Sequence, residues 1–251
     1  MWRRDLLNLS ADTSNLFTIK RQAIHTAILI FSRSAREEAQ IKQFGRHLSA
    51  AQNLQIAQRL IRRTRRMARR TRLPVFVVSG GQQQGLTFGE RFTNAIASVF
   101  DKGFEHVISI GTDCPALHPQ LLLQAARELE NGKLVTGSDH SGGLYYLGLS
   151  REQFDQQALA DLPWQSGQDF NAICRYVDQR GYKLTAGSVL EDVDNAGDLQ
   201  EALQRLYRHA EMVRSLMALL YPVLPSDHSF FHYRSIQLHL LPFLRGPPPV
   251  V

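Results

Sequence analysis

Short apolar runs alternate with longer amphipathic runs from Ala23 onward, and this alternation most limits how the chain can fold. Three of the apolar runs are HTAILIF, VFVVS and HVISIG, at residues 25–31, 75–79 and 106–111. Strands that alternate with helices in this way form mostly parallel sheets with helices on both faces. We therefore predict one α/β domain over residues 23–212, with an N-terminal extension at 1–22 and a C-terminal extension at 213–251.

Composition fits a globular protein, since 43% of the 251 residues are hydrophobic and 21% are charged. The net charge of +6 comes from one segment, because residues 59–72 hold eight arginines and no acid, which leaves −2 for the rest. A basic helix face can bind phosphates, but it is more often a solvated surface. No interleaved aromatics or RNA-binding signature accompany it, so a nucleic-acid partner is not favoured.

The two cysteines, Cys114 and Cys174, lie far apart and form no CxxC pair. So few cysteines favour a reducing compartment, and we expect a cytoplasmic protein. No apolar run approaches the roughly 18–20 residues that span a bilayer, so no membrane span is expected. The GxSxG motif of a Ser/His/Asp hydrolase and the GxxxxGK[ST] motif of a P-loop are both missing.

The segment HVISIGTDCPAL places Gly111, Thr112 and Asp113 where a buried strand ends and a helix soon begins. Ligands of open α/β sheets lie outside the carboxyl ends of the strands. A carboxylate there is suited to Mg²⁺ or Mn²⁺, which would neutralise a diphosphate. An aspartate before Pro115 is also common in a plain turn, and spacing alone leaves both interpretations open.

The segment LEDVDNAGDL crowds Glu191, Asp192 and Asp194 just before a helix. Like charges so close are costly unless water or a cation separates them. In an extended segment Asp192 and Asp194 point to the same side. The other interpretation is a solvated loop in which Asn195 caps the helix.

In TGSDHSGGLYYLGL, at residues 136–149, the pair Gly142–Gly143 would let the backbone approach a ligand closely, with Tyr145 beside it. A tight turn between two strands, with the aromatic rings in the core, explains the same pattern.

Four motifs together resemble a small bacterial family of GT-A glycosyltransferase-like proteins, of the arsenosugar-biosynthesis or radical-SAM-associated type. They are GLTFGERFTNAIASVFDKGFEHVISIGTDCPAL, TGSDHSGGLYYLGL, PWQSGQDF and EDVDNAGDL, and the resemblance covers residues 24–206. It implies a nucleotide-diphosphosugar transferase fold of the GT-A type. The aspartate that matches Asp113 binds the divalent cation in related enzymes, and those that match Asp192 and Asp194 add contacts to metal or phosphate.

The chain departs from the pattern of this family at three places. The family loop Pro-Gly-x-x-Lys-Thr-Arg-Leu, which would grip the nucleotide phosphates, is replaced by SRSAREEAQIKQFGRHL, in which Lys42 or Arg46 is the candidate substitute. Asp-Gly-Gly-Tyr-Tyr becomes SGGLY at 141–145, with Asp139 or His140 as candidate replacements for the lost aspartate. Trp-Ser-Thr becomes Trp164-Gln165-Ser166.

We therefore predict a metal-dependent glycosyltransferase that uses a nucleotide-diphosphate sugar donor and a small-molecule acceptor, with Mg²⁺ or Mn²⁺ at Asp113, Asp192 and Asp194. Asp139 and Asp169 are the candidate bases. The candidate substrate-binding residues are Gly111, Thr112, Gly142, Gly143, Tyr145, Trp164 and Lys42. A nucleotidyltransferase on the same fold, and a weakened relative that acts as a binding or scaffold protein, are the alternatives.

Overall fold

The structure, a computed structural model, describes residues 25–45, 47–205 and 216. The strands in this part of the chain are β1 (Thr26–Ser32), β2 (Val75–Ser79), β3 (His106–Ile110), β4 (Lys133–Ser138), β5 (Leu144–Ser150) and β6 (Lys183–Ala186). The helices are α1 (Ala35–Ile41), α2 (Ala50–Arg69), α3 (Phe88–Phe100), α4 (Pro119–Glu130), α5 (Gln156–Ala160), α6 (Asp169–Arg180) and α7 (Ala196–Arg205).

The six strands form one sheet in the order β2-β1-β3-β5-β4-β6. β1 pairs in parallel with β2 and β3, and β4 pairs in parallel with β6. Only β5 among these strands runs antiparallel to its neighbours, β3 and β4. The predicted mostly parallel sheet is therefore confirmed.

Alternate residues of β1 point to opposite faces of the sheet, as the pleat of a strand requires. Leu29 and Phe31 join a cluster that α3 and α6 cover, whereas Ile28 and Ile30 join a cluster that α2 and α4 cover. All four side chains are buried. A strand buried on both faces has a continuous apolar sequence, as β1 does. The two clusters also confirm that helices cover both faces of the sheet.

A third apolar cluster holds α1, α2 and α7 together beside the sheet. Its buried members are Phe44, Ile56, Ala57, Leu60, Val193, Leu199, Ala202 and Leu216. The cluster matters for the site because Val193, which is fully buried, anchors the segment that carries Asp192 and Asp194.

α2 is amphipathic, as its sequence predicts. Its buried residues face the sheet and the third cluster, and Ser49 begins the helix with a capping box to Gln52. The opposite side of the helix is basic and exposed, at Arg62, Arg65, Arg66, Arg69 and Arg70.

α1 was not predicted, although the segment that replaces the family loop begins with a clear start signal. Ser34 is the N-cap, and its hydroxyl accepts a hydrogen bond from the Glu37 N–H while the Glu37 carboxylate accepts one from the Ser34 N–H. The segment that differs from the family loop therefore forms a helix.

The predicted extensions, 1–22 and 213–251, lie outside the described residues apart from Leu216. No helix among the described residues is long and apolar enough to cross a membrane.

Candidate functional site

A cleft of about 580 Å³ opens at the carboxyl edge of the sheet. Its lining includes Ser32, the last residue of β1, and Gly111–Asp113 after β3. Because β5 is antiparallel to β3, its first residue, Leu144, lies at the same edge and also lines the cleft. Clefts of this size bind small molecules or cofactors.

The backbone after β3 is shaped to present Asp113. A Cβ on Gly111 would lie 2.8 Å from Asp113 Oδ1, closer than real Cβ atoms approach, so a larger residue there would force the carboxylate to shift. Thr112 is buried, and Cys114 is buried behind the turn. Burial raises the pKa of the Cys114 thiol to about 12, so this thiol is protonated and inert.

Val193 brings the second acidic segment to Asp113. Its N–H donates a hydrogen bond to the Asp113 carbonyl at 2.9 Å, and its side chain is fixed in the third cluster. Asp192 and Asp194, on either side of Val193, both line the cleft. Three residues predicted from separate motifs therefore lie together.

Lys42, which is not among the residues that line the cleft, links Asp113 and Asp194. Its Nζ lies 2.9 Å from Asp113 Oδ2, 2.8 Å from Asp194 Oδ1 and 3.0 Å from Glu38 Oε1, and it donates to the Val193 carbonyl at 3.1 Å. Burial opposes the charge of the ammonium, but the carboxylates of Asp113, Glu38 and Asp194 prevail and raise the pKa of Lys42 well above its ordinary value. Lys42 is therefore a buried, permanent cation.

Asp113 and Asp192 ionise very differently. Burial acts to raise the pKa of Asp113, but the ammonium of Lys42 prevails and holds it below its ordinary value. Burial, together with the charges of Asp113, Asp139 and Asp194, raises the pKa of Asp192 to about 8. One oxygen of Asp192, Oδ1, is buried without a hydrogen-bond partner among the described residues.

This donor set fits a hard divalent cation. Carboxylate oxygens are what Mg²⁺ and Mn²⁺ prefer, and the unpaired oxygen of Asp192 together with the adjacent Asp113 offers such ligands. Within the described residues, no group of three or more His, Cys, Asp or Glu side chains is arranged to hold a metal. Mg²⁺ usually takes one or two carboxylates and completes its shell with water and phosphates, so two suffice.

Asp139 organises the turn between β4 and β5. Its Oδ1 accepts hydrogen bonds from the N–H and hydroxyl of Ser141, both at 2.7 Å, and from the Gly143 N–H at 2.9 Å. Gly142 has a φ of +87°, and a Cβ there would clash with the Gly167 carbonyl. A Cβ on Gly143 would lie 2.5 Å from Asp139 Oδ2. The diglycine is therefore required by a tight turn that lines the cleft.

An aromatic wall closes the other side of the cleft. The Trp164 ring lies 5.1 Å from the Phe92 ring and 5.9 Å from the Phe88 ring, centroid to centroid, and its indole N–H donates to the Leu159 carbonyl. Beside the wall lies Asp169, which is buried and whose Oδ1 accepts a hydrogen bond from the Gln165 N–H at 2.7 Å.

Burial is the main reason that the pKa of Asp169 is raised, with a smaller contribution from the charge of Asp139. Gln165 has a φ of +60°, a strained conformation for a residue other than glycine. Such strain often marks functional loops, and this loop carries one edge of the cleft.

Tyr145 lines the cleft but is 1% exposed, and its hydroxyl donates to the Ser188 carbonyl at 2.7 Å. A role for Tyr145 in ligand binding stays a prediction. His140 is exposed and is not among the residues that line the cleft, and Arg46 lies outside the described residues.

Not all the charged residues at the site were predicted. Glu38 is buried and pairs with Lys42. Arg33 lines the cleft, and its Nη1 lies 3.6 Å from Glu38 Oε2. Arg91 lines the cleft near the aromatic wall and donates to the Leu86 carbonyl. The Glu38–Lys42 pair has i, i+4 spacing, which is a recognisable signal in sequence. Nothing local distinguishes the two arginines.

Residues 48–166 match a protein family described as an uncharacterized protein conserved in bacteria (DUF2064). This range includes Asp113, Asp139 and Trp164 but ends before Asp192 and Asp194. No curated protein matches the chain.

Among solved structures, the chain is similar to a provisionally assigned nucleotide-diphospho-sugar transferase from Desulfovibrio desulfuricans. The two are 17% identical with a TM-score of 0.63, over 76% of this chain and 98% of that one. A homologue of Mycobacterium tuberculosis Rv0371c from a Mycobacterium species is 16% identical, with a TM-score of 0.49 over 74% of this chain and 98% of that one. A 4-diphosphocytidyl-2C-methyl-D-erythritol synthase from Anaerococcus prevotii is 12% identical, with a TM-score of 0.46 over 73% and 100%.

The first of these similarities, together with the sheet order and the flanking helices, shows that the chain has the nucleotide-diphosphosugar transferase fold.

Proposed function

We propose that the protein is a cytoplasmic, divalent-cation-dependent transferase that takes a sugar from a nucleotide-diphosphate donor. The observation that carries the proposal is the group of Asp113, Asp192 and Asp194 at the carboxyl edge of the sheet, with one buried oxygen of Asp192 unpaired. Ligands of this sheet architecture bind at that edge. The arsenosugar or radical-SAM-associated subtype is supported by sequence resemblance alone.

Asp113 and Asp192 would hold Mg²⁺ or Mn²⁺, and Asp194 would complete the acidic surroundings. A bound cation supplies electrostatic stabilisation of the charge that develops on a leaving diphosphate. The chain itself orients the ligands: Lys42 fixes one oxygen each of Asp113 and Asp194, and Val193 fixes the backbone between Asp192 and Asp194.

The turn and the aromatic wall would receive the sugar and the acceptor. Gly142 and Gly143 let the backbone approach the sugar without side chains, and Trp164 presents an apolar surface of the kind that packs against sugar rings. Asp139 Oδ1 accepts the hydrogen bonds that hold the turn together. We therefore assign the acceptor base to Asp169, because a carboxyl whose pKa is raised is a better proton acceptor near neutral pH.

The charge of the cleft favours a diphosphate donor over a nucleoside triphosphate. Seven carboxyl groups line the cleft against two cations, Arg33 and Arg91, and of the seven Asp192 is mostly protonated at neutral pH. The seven are Glu37, Glu38, Asp113, Asp139, Asp169, Asp192 and Asp194. A triphosphate carries more negative charge than a diphosphate sugar and needs more positive neighbours.

The test is thermal stability in the presence of UDP-, GDP-, ADP- and dTDP-sugars, with and without Mn²⁺ or Mg²⁺, for the wild type and Asp113→Ala. A ligand at about 100 times its dissociation constant adds about 2.7 kcal/mol of stability, which is easily measured. We expect metal-dependent stabilisation by one donor, lost in Asp113→Ala. Stabilisation by a nucleoside triphosphate instead, with pyrophosphate release on turnover, would favour the nucleotidyltransferase. No stabilisation by any of them would leave the binding or scaffold protein.

A further inference from the structure

The ammonium of Lys42 already pairs with two carboxylates of the acidic group that Asp113, Asp192 and Asp194 form. Asp113 Oδ2 and Asp194 Oδ1 lie 2.9 and 2.8 Å from Lys42 Nζ. We propose that Lys42 is an internal counter-cation that lowers the affinity of the adjacent site for a divalent cation, so that the free protein binds the cation weakly until a nucleotide diphosphate arrives. This inference rests on the proposed function.

Lys42 has no spare capacity for a ligand of its own. An ammonium has three protons, and four oxygen atoms lie within 3.1 Å of Nζ: one each of Asp113, Asp194 and Glu38, and the Val193 carbonyl. The positive charge of Lys42 is therefore directed inward, at the acidic group, rather than at the cleft.

The position of Lys42 is fixed by its own backbone and by the helices around it. Its N–H donates to the Glu38 carbonyl at 2.9 Å, and its carbonyl accepts a hydrogen bond from the buried Asn53 amide at 2.6 Å. The Lys42 side chain is buried, and it lines a small space together with residues that include Phe44, Ala57 and Leu60. The ammonium therefore stays beside the acidic group when a cation binds.

A divalent cation that takes the remaining oxygen of Asp113 and the unpaired oxygen of Asp192 would lie close to this ammonium. Two positive charges that share one carboxylate repel each other, and burial weakens the screening by water. The diphosphate of a donor adds negative charge and offsets the repulsion. Cation and donor therefore bind with positive cooperativity, and the free protein keeps a low cation affinity.

The experiment measures Mn²⁺ alone, by the electron paramagnetic resonance signal of free Mn²⁺, with the full chain and no nucleotide. Lys42→Met removes the charge and keeps most of the volume, and we expect it to bind Mn²⁺ at least about tenfold more tightly than the wild type. Lys42→Arg keeps the charge and is expected to stay within about threefold. Lys133→Met is the matched control, since Lys133 pairs with Glu128 away from the site. A Lys42→Met protein that binds Mn²⁺ no more tightly than the wild type overturns the proposal.

Glu38→Gln is a second variant with the opposite expected sign. It keeps the ammonium but removes one of its three counter-charges, so Mn²⁺ binding is expected to weaken by about tenfold. If Lys42→Met does not fold, Glu38→Gln alone tests the proposal. Mn²⁺ binding by Glu38→Gln that is as tight as in the wild type, or tighter, overturns it. Absence of Mn²⁺ binding in all variants also overturns it. The proposed function fails as well only if the nucleotide-sugars give no stabilisation.

Discussion

Replacing Asp192 by asparagine is expected to stabilise the cation-free protein, and the gain should grow with pH. The pKa of this carboxyl is about 8 in the folded chain and 3.8 ordinarily. A carboxyl whose pKa is raised by folding gives its full stability below the lower value and loses it as the pH rises through the upper one. The wild type therefore loses stability between about pH 4 and pH 8, and Asp192→Asn does not.

The size of the effect follows from the two pKa values. Each pH unit between them lowers the free energy of unfolding by about 1.4 kcal/mol, so a fully buried carboxyl would destabilise the protein by about 6 kcal/mol at pH 8. Asp192 keeps some contact with solvent, and screening reduces this to on the order of 3 kcal/mol. In a chain of this length, that corresponds to roughly 6–12 °C in the melting temperature.

The assay is thermal unfolding with a chelator across this pH range, for the wild type, Asp192→Asn and Asp113→Asn. Asp113 is the matched comparison, because Lys42 lowers its pKa and Asp113→Asn removes that ion pair from a buried ammonium. Asp113→Asn should therefore destabilise the protein at neutral pH, opposite in sign to Asp192→Asn. A gain from Asp192→Asn that is the same at pH 5 and pH 8, or a loss that grows with pH, would refute the reasoning.

Two further predictions concern the rest of the fold. Gly89→Ala places a methyl group against a backbone carbonyl of α5 and should lower the free energy of unfolding in urea by about 2–4 kcal/mol. The control is Gly81→Ala, whose Cβ meets nothing within 4 Å and which should lower it by less than about 1 kcal/mol. Hydrogen bonds from the Ala158 N–H and Arg180 lower the pKa of Asp155. Asp155→Asn should therefore lower the melting temperature near neutral pH, and the difference from the wild type should vanish as the pH falls below 3.8. An equal loss of melting temperature at all pH values would contradict this.

The layered fold was predictable because its signals are local. An apolar run such as HTAILIF marks a strand buried on both faces, and the spacing of apolar residues in α2 marks its buried side. The position of Asp113 at the carboxyl edge follows from the end of β3 alone. α1 was not predicted although Ser34 and Glu37 form a capping box, because this helix has only 7 residues and buries the charged Glu38 instead of an apolar stripe.

The electrostatics of the site could not be predicted, because they depend on approach between distant parts of the chain. Lys42 donates to Asp113 across 71 positions and to the Val193 carbonyl across 151. Whether Asp192 is solvated or buried is likewise decided by the third cluster and not by the acidic motif itself. The sequence indicated which carboxylates gather at this edge, but not which of them is paired.

Leu216 is 1% exposed and packs in the same apolar cluster as Val193, the residue between Asp192 and Asp194. A shortened chain that ends at the predicted domain boundary, residue 212, would lose this side chain and leave a cavity under the acidic segment. Such a protein would keep every residue that we assign to the site and still hold the carboxylates less firmly. The length of the chain expressed in the laboratory therefore belongs among the variables that determine ligand affinity.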